Sequence, residues 1–558
     1  MTEGLAGELN RRVMGGLLWR LADMVRAAET RRSFRSKAFQ RAVWSLDHLP
    51  ADLDIDREAA LEVPGIGPGV VSLIDEYRRR GGLDELDELE RRFPREAPLL
   101  RRLPRMTPRI LGELKADLGV ETRNDLRVAI ESDSLGGISG VGPATLALWG
   151  EVLSLGASGS SAVPAHSGWV IGSMLSRHIT SHTGCWVDIA GDVRRLDEWV
   201  HSVDLVASSE TTGELSDFLT TTAVLADTNE EGDTVRGHAH SGLPVAIAWA
   251  PPEGAGTALA LMTGPEAHLD HLTRDPYPTE HELYEASGFP LIPAPARVLP
   301  IDLATRVVLR KDLRGDLHLH SEASPDGHLS LESLLAAAIE EGHEYVLITD
   351  HTQGLRFGGL DEQAIHAQAA TIDRVRSRYP ELRVFHGAEL NIGADGSLDL
   401  DDETLAILDF AVAGLHSSFG LSSEEQTERL ETALAHPVVK VLAHPFGRRI
   451  GIRPAIDVDM DRVIEAAINH GVALETNGHR DRLDLGADWL QVAAERGAVF
   501  AANSDAHRRD EIGNVANALG TLQRAGIDAE KVVNTWEVDR LQEWVGIESM
   551  PAPQPAGR

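Results

Sequence analysis

Cysteine is nearly absent. Cys185 stands alone among 558 residues, so no intramolecular disulfide can form and a reducing compartment suits the chain. Lysine is almost as scarce: Lys37, Lys115, Lys311, Lys440 and Lys531 are all there are, and arginine carries the rest of the positive charge. No apolar run approaches the ~18 residues that a membrane helix needs. The opening MTEGLAGELNRRV lacks the apolar segment of a signal peptide. A cytoplasmic protein that does not enter a membrane is expected.

Negative charge is in excess, with a net charge of −34. An acidic, lysine-poor surface suits high salt, and GC-rich codon usage produces the same composition; both readings stay open. Such a charge counts against tight, salt-resistant DNA binding, because affinity for duplex follows the number of phosphates neutralised. The charge is uneven, however. Residues 1–120 balance near neutrality and carry arginine clusters at Arg31–Arg35, Arg78–Arg80 and Arg101–Arg105. These are the expected contacts if nucleic acid binds. The 42% hydrophobic content supports real cores, and the length allows roughly three to four domains at ~150 residues each.

The first 60 residues have helical spacing. Pro64-Gly65-Ile66-Gly67-Pro68-Gly69 then forms a glycine turn between two helices. In a helix-hairpin-helix, such glycines let backbone N–H groups approach a phosphate, and the next helix N-terminus adds its dipole. An ordinary connection that needs glycine for positive φ explains a single copy equally well. Gly140 and Gly142, in SGVGPA, form a second clean copy. PRMTPRI at 104–110 sits where another would fall, with Arg105 and Thr107 in place of glycines. Residues 155–168 are rich in Ser, Gly and Ala and read as a linker. Mixed strands and helices follow to about residue 300.

From residue 312 apolar strands alternate with amphipathic helices. The strands fall at 313–320, 345–350, 383–388, 409–415, 438–443, 472–476 and 498–503. Seven β/α repeats imply a barrel of parallel strands, with its active site where the strands end. His318 and His320 lie two apart on the first strand and share a face. Alone, such a pair is more often coincidence than a metal site. It is not alone. Asp326 follows the first strand, and His351, Glu389, His416 and His444 end the next four. Asp505 and His507 end the last. Nine such side chains at one mouth point to a multinuclear metal site. Imidazole and carboxylate without thiolate suit zinc, manganese or iron. Arg356, Arg448 and Arg482 also follow strand ends, where they read either as phosphate-holding groups or as surface arginines.

These motifs, DLHLHS, ITDH, GAE, GLHSS, AHP and NSDAH, make residues 312–545 resemble a PHP (polymerase and histidinol phosphatase) domain. The resemblance implies a trinuclear divalent metal cluster with all nine ligand positions filled. One metal would take His318, His320, Glu389 and Asp505. A second would share Glu389 and add His416 and His444. The third would take Asp326, His351 and His507. It also implies hydrolysis of a phosphate ester by metal-activated water.

Residues 1–300 resemble the remainder of a bacterial family X DNA polymerase, in SFRSKAFQRAVWSLDHLP, VPGIGPG, IAGDVRRLDEWVHSVDLVAS, APPEGAGTALALMTG and PTEHELYEASGFP. The expected architecture is multidomain. A helical lyase-like domain (1–95) and a fingers-like domain (96–155) carry the helix-hairpin-helix turns. A degenerate α+β palm and thumb (156–300) precede the (β/α)7 PHP barrel (312–548).

The departures from the family are specific. Its palm needs three aspartates, the first two in a Gly-Asp-x-Asp strand. Here that strand reads His201-Ser202-Val203-Asp204, and the third position is Ala246. The lyase lysine position is Leu73, and Gly69 replaces a lysine four before it, so no amine remains for a Schiff base. His201 reads as incidental and Cys185 as a buried small hydrophobe; His479 follows the sixth strand, where it either faces the site or is, as is commoner, a surface residue.

The expected function is a metal-dependent phosphodiesterase of DNA repair, a 3′→5′ exonuclease with AP endonuclease activity, its polymerase and lyase chemistry lost. Its partner would be single-stranded or gapped DNA, held through the N-terminal half by a monomer. The alternatives are a small-molecule phosphomonoesterase of histidinol-phosphatase type and a non-catalytic repair scaffold. An active gap-filling polymerase would need aspartate at Ser202 and Ala246.

Overall fold

The computed structural model describes residues 10–29, 34–50, 52–54, 56–154, 162–210, 212–355 and 358–547. Arg31, Arg32 and Arg356, and residues 155–161 of the expected linker, lie outside them. The chain divides into two compact units. One draws on the described residues of Met1–Thr263, Thr273–Ala286 and Gly451–Pro454, the other on those of Gly264–Leu272, Ser287–Ile450 and Ala455–Arg558.

One hydrophobic core runs through the first unit, from Met14 and Leu18 to Ile247 and Trp249. Three turns in its helical part repeat one design. Gly65, Arg105 and Gly140 have φ of 95°, 62° and 82°. Three residues after each, a helix opens on proline: α1 (Pro68–Arg80), α2 (Pro108–Leu118) and α3 (Pro143–Ser154). The residue after each left-handed position donates its N–H three back, Ile66 to Val63, Met106 to Leu103 and Val141 to Ile138. Thr107 caps α2 by accepting from the Ile110 N–H at 3.2 Å. PRMTPRI is therefore a third copy in backbone, with Arg105 in a conformation that usually asks for glycine. Trp149, fully buried on α3, donates Nε1–H to the Pro104 carbonyl at 2.8 Å and ties the third turn to the second.

The rest of this unit is a five-stranded sheet. Its strands are β1 (Trp186–Ala190), β2 (Val203–Ser208), β3 (Leu225–Glu231), β4 (Thr234–Ala239) and β5 (Pro244–Ala250), in the order β1-β2-β5-β4-β3. Only β2 and β5 run parallel, and their register sets Asp204 beside Ala246. The expected linker ends early, because a helix spans Ala165–Thr183. Gly168 belongs to that helix: a side chain there would meet Val200 at 2.9 Å, so this glycine is a packing contact. Cys185 is half-buried rather than buried.

The second unit holds eight strand segments: β6 (Gly315–Leu319), β7 (Tyr345–Ile348), β8 (Arg383–His386), β9 (Glu389–Asn391), β10 (Ala411–Gly414), β11 (Val439–Leu442), β12 (Ala473–Asn477) and β13 (Phe500–Asn503). They form two parallel runs, β8-β7-β6 and β9-β10-β11-β12-β13. Isolated bridges link the two runs. Leu319 bridges Ala506 beyond β13, and His351 beyond β7 bridges Glu389. Helices such as Leu331–Glu340, Ser423–Leu434 and Met460–His470 lie between strands. The strands are buried almost throughout, as expected where both faces of a parallel sheet are covered. Among the described residues no helix is long and apolar enough to cross a membrane.

Two histidines outside the strand-end cluster are also buried. Burial, reinforced by the Arg310 charge, pushes His343 down to about 4. Burial pushes His386 to about 4 despite the opposing pull of Asp409. Both are neutral in the folded chain at neutral pH and free to protonate once unfolded. The unfolded state therefore binds more protons between pH 6.5 and about 4, and stability falls as pH drops through that window. The slope is up to about 1.4 kcal/mol per pH unit for each. Thermal unfolding from pH 7 to 4 should show this decline, and the His343→Gln/His386→Gln pair should flatten it.

Candidate metal centre

Each strand-end side chain reaches the cluster because its strand stops there. His318 lies within β6 and His320 just beyond it; both are fully buried, with ring centroids 5.1 Å apart. They face Glu389 and Asp505. The His318 Nε2 is 3.3 Å from Glu389 Oε2 and 3.5 Å from Asp505 Oδ1. The His320 Nε2 is 3.5 and 3.2 Å from the same two atoms. On its other oxygen Glu389 meets His416 Nε2 at 3.1 Å and His444 Nε2 at 3.0 Å. Asp326 Oδ1 lies 3.8 Å from His351 Nε2 and 3.4 Å from His507 Nε2. His351 turns its Nδ1 to Glu389 Oε2 at 2.8 Å. The nine residues read from the sequence thus lie around one end of the strands, and of the three groups expected only His318, His320, Glu389 and Asp505 bring all their ligand atoms within 4.8 Å of one another.

Their donor atoms fit a cation. His318 Nε2, His320 Nε2, His507 Nε2 and Glu389 Oε2 are buried without a hydrogen-bond partner among the described residues. Buried polar atoms are rarely left so. Within 4.8 Å of one another lie the ligand atoms of His318, His320, Glu389 and Asp505; of His351, Glu389 and His416; and of His320, His351 and His507. Burial drives His320 well below the ordinary histidine range, with His507 and His351 adding to the effect. Burial, with the Arg482 charge, lowers His444 to about 4. Both rings are therefore neutral, the form that ligates metal. Burial raises Glu389, but His416, His351 and His318 outweigh it and hold the carboxylate well below its usual range. Asp326 is held at about 2, burial being overcome by His507 and His351.

Two backbone features make room. His444 and Asp505 sit at φ of 28° and 54°, strained for side-chain-bearing residues. Gly414, the last residue of β10, has no space for a side chain: a Cβ would lie 2.7 Å from Glu389 Oε1 and about 3 Å from His416 and His444.

The arginines separate. Arg482 places Nε 3.7 Å from Asp505 Oδ2, and its Nη1 is buried without a hydrogen-bond partner among the described residues. Arg448 donates Nε–H to the Arg482 carbonyl at 3.2 Å and Nη2–H to that of Leu483 at 2.6 Å, so it braces the loop that carries Arg482. Arg356 lies outside the described residues. His479 is nearer than a surface residue should be, its Nε2 2.9 Å from the Asp505 carbonyl.

Sequence reading missed the supporting layer. Ser324 Oγ stands 3.1 Å from His320 Nδ1 and accepts from the His351 N–H at 2.9 Å. Asn391 Oδ1 is 3.3 Å from His416 Nδ1. Asp316 accepts from the backbone of His318 and Ser504, and burial raises it to about 7. Glu475 is 2.7 Å from His318 Nδ1. The available signal was a carboxylate inside an apolar strand, as in RGDLHL and VALETN.

Residues 316–484 match the PHP domain family. Over 538 residues the chain is 28% identical to the DNA polymerase/3'-5' exonuclease PolX of Bacillus subtilis (strain 168), covering 90% of this chain and 93% of that protein. A probable phosphatase of Syntrophotalea carbinolica is 28% identical over 229 residues, 39% of this chain and 90% of its own. The probable phosphatase YcdX of Escherichia coli (strain K12 / DH10B) is 27% identical over 229 residues, 39% of this chain and 89% of its own.

A ligand that binds only the folded chain raises its unfolding temperature. Chelator-stripped protein should therefore unfold at higher temperature once Mn²⁺ or Zn²⁺ is added. Gly414→Ala, which forces Glu389 or its histidines to move, should lose most of that rise while the stripped protein still melts cooperatively. The chain carries a PHP domain, is by that domain a metal-dependent phosphoesterase, and resembles over 90% of its length a bacterial family X DNA polymerase with PHP chemistry appended.

Proposed function

We propose that this protein is a phosphodiesterase of DNA repair that shortens DNA from the 3′ end, with AP endonuclease cleavage at the same centre and polymerase chemistry lost. The observation that carries this reading is the convergence of nine His, Asp and Glu side chains at one end of the parallel strands, whose two bridged runs we read as a (β/α)7 barrel. The name of the Bacillus subtilis relative supplies the substrate class and polarity. We read the chain as lyase-like (1–95), fingers-like (96–155), palm and thumb (156–300) and PHP (312–548), working as a cytoplasmic monomer.

Three divalent cations, zinc, manganese or iron, would be held by His318, His320, Glu389 and Asp505; by Glu389, His416 and His444; and by Asp326, His351 and His507. When bound they supply Lewis acidity and a deprotonated water at neutral pH. The chain's own groups do the rest. Neutral His320 and His444 keep lone pairs available. Arg482, its Nη1 unpaired beside Asp505, binds a phosphoryl oxygen. Arg448 keeps the Arg482 loop in place.

The helical turns are read as helix-hairpin-helix contacts to single-stranded or gapped DNA through Gly65, Gly67, Gly69, Gly140 and Gly142. Gly65 and Gly140 are needed for positive φ. Gly67, Gly69 and Gly142 are not: a side chain at any of them would meet nothing within 4 Å. Close approach of a phosphate backbone is the remaining reason for glycine there. The palm keeps one carboxylate. Asp204 lies beside Ala246 and accepts from Ser202 Oγ at 3.0 Å, where two aspartates would be needed to complete a two-metal site. A small-molecule phosphomonoesterase is the second reading, favoured by the match to probable phosphatases over 39% of the chain.

With Mn²⁺, 3′-labelled single-stranded DNA should shorten, and chelator should stop it. His320→Ala and Asp505→Ala should each lower the rate by roughly a thousandfold or more, the several kcal/mol that cations supply. Phosphate release from histidinol phosphate with DNA left intact would decide for the second reading. On a gapped primer no nucleotide should be incorporated with Mg²⁺ or Mn²⁺; extension would show a working palm.

A further inference from the structure

The strand β12 ends without one of the nine side chains. Its contribution is Glu475, fully buried and next to three of them. Both carboxylate oxygens are taken. Oε1 is 2.7 Å from His318 Nδ1 and accepts from Asn503 Nδ2 at 2.9 Å. Oε2 accepts from the His444 backbone N–H at 2.8 Å and from Asn477 Nδ2 at 3.2 Å. The same Asn477 Nδ2 lies 3.0 Å from Asp505 Oδ2.

We infer that Glu475 is a positioning residue that fixes the tautomer and aim of His318 and pins the strained backbone of His444, without itself holding a cation. The inference rests on the metal reading above. An ionised carboxylate only accepts, so every partner must donate. With a cation bound, the His318 ring would keep its proton on Nδ1 and offer the metal the lone pair of Nε2, the atom turned toward Glu389 and Asp505. On the other oxygen, the His444 N–H is drawn to Glu475 at a residue whose φ of 28° would otherwise relax. One side chain thus orients ligands from β6 and β11, and through Asn477 touches a third after β13. Partners of this kind typically govern metal affinity by about 10–100-fold.

Glu475→Gln keeps the shape and breaks the logic. Its amide N–H₂ must face either His318 and Asn503 or His444 and Asn477, donor against donor. The test uses full-length protein stripped with chelator and titrated with Mn²⁺ by calorimetry, with circular dichroism of the stripped protein read alongside. Glu475→Gln should bind Mn²⁺ about 10–100-fold more weakly while remaining folded. The Glu475→Gln/His318→Ala pair should lose far less than the product of the two single losses, because the two residues act through one imidazole. Losses that multiply, or unchanged affinity in Glu475→Gln, overturn the proposal. Should Glu475→Gln fail to fold, Glu475→Asp, which draws the carboxylate back by one methylene, should show intermediate affinity; wild-type affinity there overturns it equally. Wild-type protein that takes up neither Mn²⁺ nor Zn²⁺ overturns the metal reading and this one with it. Wild-type uptake with an indifferent Glu475→Gln overturns this one alone.

Discussion

A carboxylate taken out of water loses several kcal/mol of hydration, and Glu389 is taken out almost entirely, at 1% exposure. Nothing apolar can compensate for that. The second unit surrounds it with five imidazoles, His318, His320 and His351 against one oxygen and His416 and His444 against the other, a set of donors that a cation between them would bind together. They come from four strands, His318 and His320 from one of them, so the arrangement forms only when β6, β7, β10 and β11 all stop at the same level. Gly414 gives up its side chain to leave the space. The outer carboxylates, Asp316, Asp350 and Glu475, then face the same problem one layer out. They answer it with backbone N–H, hydroxyl and amide donors. The ring of strands is in this sense a frame for keeping charge dry.

What was legible in the sequence follows from periodicity. Strand ends can be read where an apolar run meets a polar residue, and His351, Glu389, His416, His444 and Asp505 all stand at such a boundary. His318 and His320 were legible because a strand repeats every two residues. The expected loss of palm carboxylates rests on Ser202 and Ala246, and the β2–β5 register sets Asp204 beside Ala246. The failures have equally local causes. Ala165–Thr183 opens on small residues that resemble a linker, and only the packing of Gly168 on Val200 explains them. Arg105 concealed the third turn because sequence patterns look for glycine, whereas the backbone asks only for positive φ. Arg448 and Arg482 look alike in sequence. One donates to carbonyls while the other keeps a bare Nη1, a difference that exists only in three dimensions.

The two sheets treat their polar side chains differently. In the second unit the strand-end carboxylates are enclosed by partners and are part of what the fold must satisfy. In the first, the core of β2 and β5 is built from Val203, Leu205, Val245 and Ile247, and it packs whether or not carboxylates stand between them. A sheet of that kind persists unchanged when its polar positions drift.

The pairing of Asp204 with Ala246 also limits what that strand pair can carry. Ala246 is 4% exposed. An aspartate there would press a second carboxylate against Asp204, which burial and the nearby Asp192 already disfavour as an anion. Two adjacent like charges cannot both ionise without a counter-charge. At that level the two strands therefore hold a single carboxylate, and the small neutral residue beside it is what lets even that one stay buried.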